Sequence, residues 1–127
     1  MGGRVYEGFV PGRHAIDSYG AGGFRFADMS HRGSILALPS GIRAWAPASA
    51  AGLTPEDFAS VLAESESIAL LLIGTGRDVA FVAEPIRARL REGGVSVDVM
   101  QTGAAARTYN ILLGENRRVG AALIAVA

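Results

Sequence analysis

The clearest hydrophobic pattern in this 127-residue chain is an uninterrupted apolar run that ends in a glycine turn. Residues 68–73 are all apolar, and Gly74-Thr75-Gly76 follows directly. Such a run before a tight turn is typical of a buried parallel strand. A helix is predicted over 84–92, because Ile86 and Leu90 lie one turn apart, and a second strand is predicted over 95–100. The unit predicts a strand–helix–strand crossover with parallel strands.

The first part of the chain shows short alternating segments separated by glycine and proline. Phe24 and Phe26, for example, lie on one face of the segment that contains them. His31-Arg32-Gly33 is predicted to be a turn. Such short connections favour antiparallel pairing. The strands predicted here cover residues 4–10, 15–19, 24–27, 34–38 and 42–45.

Capping signals predict two further helices. Thr54 is the predicted N-cap of the first helix, with Pro55 at the first helical position and a hydrophobic staple between Leu53 and Phe58. Thr102 is the predicted cap of a helix that ends at Leu113, before Gly114.

An apolar strand over 118–126 is predicted to be central in the sheet. Together the elements predict one α/β domain over residues 1–127. It has a mixed central sheet with an antiparallel, strand-rich N-terminal part and a βαβ crossover in the C-terminal part, and helices pack around the sheet.

Composition excludes several kinds of chemistry. The formal net charge is zero, so no overall field attracts nucleic acid or anionic lipid. The chain contains neither lysine nor cysteine, which excludes Schiff-base, disulfide and thiolate chemistry. Residues 1–7 lack an apolar signal core, and no apolar run approaches the length of about 20 residues that a bilayer requires. The sequence therefore predicts a cytoplasmic protein that is not integral to the membrane, with no cofactor.

A candidate ligand site lies where the predicted strands end. The carboxyl ends of two parallel strands meet at one edge of a sheet, which brings the glycine turn near the start of the third helix. Backbone N–H groups and an arginine there would hold a small anion. The alternative is an ordinary tight turn with routine capping, since a lone Gly-x-Gly is a weak signal. The candidate ligand-binding residues are Gly74, Thr75, Gly76, Thr102, Arg107 and Asn110.

Other candidates favour structural roles. His14 and His31 lack metal-ligand spacing. Arg87, Arg89 and Arg91 are spread around their helix and indicate a solvated face rather than a nucleic-acid stripe. Trp45 is followed by six uncharged residues, so it is interpreted either as an exposed anchor for a partner or as a side chain that packs over the sheet.

The order of several motifs resembles small proteins related to the mitochondrial complex I assembly factor 3. They comprise Gly22-Gly23-Phe24, residues 33–36, Trp45, the helix start at 53–56, the turn at 73–76, Met100-Gln101-Thr102, residues 107–112 and the apolar strand 119–124. The chain departs from the family pattern at 115–118 and at Ala106, where many relatives carry cysteine.

The resemblance implies an α/β fold with no established enzymatic activity and a role in assembling the respiratory NADH dehydrogenase through protein contacts. The partners it implies are subunits of membrane complexes, and a second copy of the chain is the alternative partner. The competing hypothesis is a small-molecule binding protein or enzyme that uses the candidate ligand site.

Overall fold

The computed structural model describes residues 8–127, which form two β-sheets and three α-helices. The helices are α1 Ala59–Ala63, α2 Glu84–Glu92 and α3 Thr102–Gly114. The strands are β1 Phe9–Pro11, β2 Ser18–Gly20, β3 Gly23–Phe26, β4 Met29–Arg32, β5 Ser34–Leu38, β6 Gly41–Trp45, β7 Leu70–Gly74, β8 Ser96–Met100 and β9 Val119–Leu123. The predicted strand over 4–10 overlaps β1, but its residues 4–7 lie outside the described part of the chain. Residues 1–7, in which no signal core was predicted, lie outside it as well.

The larger sheet has six strands in the order β1-β6-β5-β9-β7-β8. β7 runs parallel to both β8 and β9, whereas β5 pairs antiparallel with β6 and β9. This confirms the mixed sheet, the parallel crossover and the central position of the last strand. Because β6, β7, β8 and β9 share one direction, their carboxyl ends lie at the same end of the sheet. The segments that follow them all emerge there.

The smaller sheet, β2-β3-β4, is antiparallel and was not anticipated as a separate unit. The predicted turn at His31-Arg32-Gly33 is wrong for its first two residues, because β4 extends to Arg32 and His31 pairs with Phe24. The chain reverses instead at Ala27 and Asp28, whose φ angles are +51° and +61°. Gly33, with φ +100°, then redirects the chain into β5.

Two hydrophobic clusters cover the two faces of the larger sheet. β5 contributes Leu36 and Leu38 to the cluster beneath α2, and Ile35 and Ala37 to the cluster beneath α3 and the smaller sheet. Every residue of β5 is buried, which explains why the strand lacks a polar face.

The first helical segment begins as predicted after Thr54, with a 3₁₀ turn over Pro55–Phe58 that continues into α1. The Thr54 N–H donates to Asp57 Oδ2 at 2.8 Å. Phe58 is buried in the α2-side cluster, against which Leu53 also packs. α2 has the predicted bounds. α3 begins at Thr102, but its N-cap is Gln101, so the predicted capping role of Thr102 is wrong.

Candidate functional site

The six predicted ligand residues form two separate groups. The first group is a buried joint built around Thr102, whose side chain is fully buried. Its hydroxyl donates to the Ile124 carbonyl at 2.7 Å and accepts from the Gly76 N–H at 2.9 Å. A single hydroxyl therefore ties the start of α3 to the ends of β7 and β9.

Thr75 completes this joint. Its N–H donates to the Met100 carbonyl at 3.0 Å, its hydroxyl donates to the Asp78 carbonyl at 2.8 Å, and the same oxygen accepts from the Ala80 N–H at 3.0 Å. The N–H groups of Thr75 and Gly76 are thus already bonded within the protein. The geometry therefore gives these residues a structural role. Gly74, Thr75, Gly76 and Thr102 connect the ends of β7, β8 and β9 to the start of α3.

The second group, Arg107 and Asn110, faces a cleft between α3 and β2 with a volume of about 260 Å³. The Asn110 side chain binds the main chain of Ile16 through two hydrogen bonds. Arg107 is exposed at the rim, and Asp17 and Tyr19 line the same cleft. Sequence reasoning missed both of these residues because nothing in the sequence places the β2 segment against α3.

Trp45 is a buried side chain, as in the second of its two interpretations, and not an exposed anchor. Its side chain is only 8% exposed, and the indole N–H donates to the Asp57 carbonyl at 2.8 Å. The ring meets Phe58 edge-on with centroids 5.4 Å apart. In this position Trp45 stabilises the contact between β6 and the first helical segment, and its side chain offers little surface to a partner.

The most exposed large apolar side chains belong instead to the segment that joins β7 to α2. Phe81 is 84% exposed and Val79 is 66% exposed. Both lie in the uncharged stretch 79–83, here named the Phe81 loop. The sequence signal for this loop is a run of five uncharged residues, which predicts no helix or strand because it shows neither period.

The histidines and arginines occupy ordinary positions. His14 contacts the Pro11 carbonyl at 2.9 Å, and the buried His31 contacts the Ser34 carbonyl at 3.2 Å. Within residues 8–127, no group of three His, Asp or Glu side chains is placed to hold a metal ion. Arg87 and Arg91 flank a groove beside β8, and Arg89 does not line it.

One buried ionisable group lies on α3, next in sequence to the cleft residue Asn110. Tyr109 is almost completely buried in the α3-side cluster, and burial raises the pKa of its phenol, with a smaller opposing contribution from Arg13. A phenol in this setting stays neutral at physiological pH and acts as a packing residue.

None of the helices within residues 8–127 has both the length and the apolar character needed to cross a bilayer.

Comparison with known proteins places the chain in a family. It is 40% identical over 109 residues to an uncharacterized protein of Rhodobacter capsulatus, a match that covers 86% of this chain and 82% of that protein. It is 31% identical to the mouse NADH dehydrogenase (ubiquinone) 1 alpha subcomplex assembly factor 3, covering 86% of this chain and 59% of the mouse protein. The resemblance to the complex I assembly factors is thereby confirmed, although the match spans little more than half of the mouse relative.

A solved structure extends this agreement to the fold. The crystal structure described as an outer membrane protein from Bartonella henselae has a TM-score of 0.89 and 53% identity, and covers 92% of this chain and 98% of that chain. The α/β architecture is thus shared with an experimentally determined relative. The sequence profile of the family described as a protein of unknown function (DUF498/DUF598) matches residues 16–124, and the chain belongs to this family.

Proposed function

We propose that this protein is a non-enzymatic binding protein that assists the assembly of the respiratory NADH dehydrogenase. The observation that carries the proposal is the Phe81 loop, which presents Phe81 and Val79 to solvent. Aromatic side chains are enriched at the buried centres of protein interfaces, and burying one contributes a large apolar area. The relatives named as assembly factors supply the class of partner.

The surroundings of the Phe81 loop suit an apolar protein surface. The segment after β6, residues 46–53, is also uncharged. It emerges at the same end of the sheet as the Phe81 loop, because β6 and β7 run in one direction. Val82, within the Phe81 loop, and Trp45, directly before residues 46–53, belong to one core cluster. Anchoring in the core lowers the entropy lost when a partner binds. In this proposal the protein acts in the cytoplasm, on the soluble face of a membrane complex.

The proposal is tested by crosslinking the tagged protein to its partners in its own host and identifying them by mass spectrometry. Phe81→Asp places a charge at the centre of the proposed contact, and this substitution should spare the fold because the side chain is exposed. Ile111→Asp is the matched control, since Ile111 is 62% exposed on α3 and lies in a different part of the surface.

We expect wild type and Ile111→Asp to recover NADH dehydrogenase subunits, and Phe81→Asp to recover none above background with an unchanged melting temperature. Equal recovery by all three proteins would show that the Phe81 loop does not contact the partner. Failure of the wild type to recover any such subunit would remove the assembly role itself.

A second candidate function is small-molecule binding in the cleft between α3 and β2. Arg107 makes no ion pair within the described residues, and it shares the cleft with Asp17 and Asn110. A small ligand with an anionic group would bind Arg107. Anionic metabolites should then raise the melting temperature of the wild type but not of Arg107→Ala. An identical shift in both proteins would exclude this cleft.

A further inference from the structure

The strand β8 forms an open edge of the larger sheet. It is last in the strand order, and β7 is its only neighbour within residues 8–127. The Ser96 N–H donates to the Ala69 carbonyl, and the Met100 carbonyl accepts from the Thr75 N–H, both at 3.0 Å. Since alternate residues of a parallel ladder face the neighbouring strand, the main-chain groups of Val97 and Val99 point away from β7.

These outward groups have no partner in the described part of the chain. No hydrogen bond from outside the ladder reaches the main chain of Val97 or Val99. The side chains of both valines are partly buried and pack against the α2-side cluster, which anchors the strand to the core. An edge with regularly spaced free donors and acceptors is a template for a further strand.

The two faces of this edge differ in charge. On the α2 side, Arg87 and Arg91 flank a groove of about 470 Å³ that runs along Val95, Ser96 and Val97. Arg91 is bonded to Glu84, whereas the hydrogen bond of the Arg87 side chain within residues 8–127 is from its Nε–H to the Val82 carbonyl at 3.2 Å.

Asp98 is exposed, and strand alternation places it on the opposite face, the side of Met100 and α3. An added strand therefore meets positive charge on one face and negative charge on the other.

This pattern disfavours a fully aligned pairing with a second copy of the chain. An antiparallel pairing that aligns all five residues of β8 with those of another β8 places Asp98 directly against Asp98 of the copy. Like charges at directly opposed positions destabilise a strand pair. The charges instead match a strand with an acidic residue opposite Val97 and a basic residue opposite Asp98.

We propose that the open edge of β8 accepts an extended segment of the protein partner as an added antiparallel strand, with an acidic residue opposite Val97, a basic residue opposite Asp98 and an apolar residue opposite Val99. The proposal rests on the proposed function, because it requires a protein partner. It specifies in addition that the partner contributes an extended segment, and it gives the order of the acidic and basic residues in that segment.

The chain contains no cysteine, so Gln101→Cys supplies a single thiol beside the end of β8. A peptide Cys-Gly-Gly-Thr-Val-Arg-Glu-Thr, joined to it by a disulfide, runs antiparallel along β8 at high effective concentration. A second peptide with the Arg and Glu exchanged is the matched control. Hydrogen exchange of the Val97 and Val99 amides, followed by NMR, reports pairing at the edge.

We expect the first peptide to slow exchange at both amides by about tenfold or more, and the exchanged peptide to have a much smaller effect. Absence of protection with the first peptide, or equal protection with both, overturns the proposal. Sedimentation that shows a dimer dispersed by Val97→Pro also overturns it, since the edge then serves a second copy.

A comparison in the host separates this proposal from the proposed function. Val97→Pro removes an outward N–H that makes no bond within residues 8–127, and proline is tolerated on edge strands. Val97→Thr keeps that N–H and is the control. We expect crosslinking to NADH dehydrogenase subunits to persist in Val97→Thr and to be lost in Val97→Pro. Capture by both variants overturns the β8 proposal alone, whereas peptide protection without any captured subunit contradicts the assembly role alone.

Discussion

Asn110 on α3 and Ile16 ahead of β2 are 94 residues apart in the chain and bind each other through two hydrogen bonds. The Ile16 N–H donates to Asn110 Oδ1, and Asn110 Nδ2 donates to the Ile16 carbonyl, both at 2.8 Å. The amide thus satisfies main-chain groups that a neighbouring strand would otherwise satisfy. This contact fastens the segment before the smaller sheet to α3 and shapes the cleft beside it.

Replacing Asn110 with leucine should therefore weaken the whole fold. Asn110→Leu leaves the donor and the acceptor of the nearly buried Ile16 without partners, and we expect the free energy of unfolding to fall by about 2 kcal/mol. Urea denaturation measures this loss. Ile111→Ala, on the exposed side of the same helix, is the control and should change stability little. A loss no larger in Asn110→Leu than in the control would contradict the role given to this amide.

Two glycines should respond to alanine in opposite directions. A Cβ at Gly74 would lie 2.9 Å from both Leu123 Cδ2 and the Thr102 Cα, so Gly74→Ala crowds the joint and should cost about 1–3 kcal/mol. Gly114 ends α3 with open space around it, and Gly114→Ala should stabilise the protein by about 0.5–1 kcal/mol. Thermal unfolding compares the two variants. Equal effects would mean that β7 and α3 do not approach as closely as described.

The buried phenol of Tyr109 should make stability fall at alkaline pH. Its pKa in the folded protein is raised above the ordinary value of 10.0, mainly by burial. Below that value both states keep the proton and stability is unaffected. As the pH rises through 10.0, the unfolded chain loses the proton while the folded protein keeps it, so the free energy of unfolding falls until the folded pKa is passed.

Denaturant unfolding of wild type and Tyr109→Phe at a series of alkaline pH values isolates this contribution. The variant should match the wild type near neutral pH and lose less stability above the ordinary phenol pKa. Parallel curves for the two proteins would show that the Tyr109 phenol is solvated in the folded state.

Trp45 should affect stability and leave partner binding intact. Trp45→Phe removes the hydrogen bond to the Asp57 carbonyl and alters the packing on Phe58, for an expected loss of about 1–2 kcal/mol. Because it is the single tryptophan, its fluorescence in the wild type should be blue-shifted and poorly quenched by acrylamide. Loss of partner capture in a folded Trp45→Phe protein would restore Trp45 as a contact residue.

The parts of the fold that sequence predicted best carry strong local signals. β5 and α2 have the predicted bounds, because turn residues flank β5, and α2 has Pro85 in its first turn and Gly93 directly after its end. β4 was missed because Met29 is its single apolar residue, and His31 within it reads as a polar turn residue when its pairing with Phe24 is not known.

The candidate site depends on contacts between distant segments, which local sequence patterns do not predict. Arg107 and Asn110 do share a cleft, since both lie on one helix a turn apart. Thr102 resembles a cap in sequence, but its hydroxyl bonds Ile124, which lies 22 residues away. Tyr19 reaches the cleft from the opposite end of the chain. Contacts between such distant segments depend on how the sheets pack, and no pattern within one segment encodes them.

The most direct test of the central claim is the amount of assembled NADH dehydrogenase, measured on native gels, in host strains that carry Phe81→Asp, Ile111→Asp or a deletion of the gene. We predict that Phe81→Asp lowers the amount of assembled complex as far as the deletion does, while Ile111→Asp leaves it at the wild-type amount. A deletion strain with wild-type amounts of the complex would contradict the claim that this protein assists its assembly.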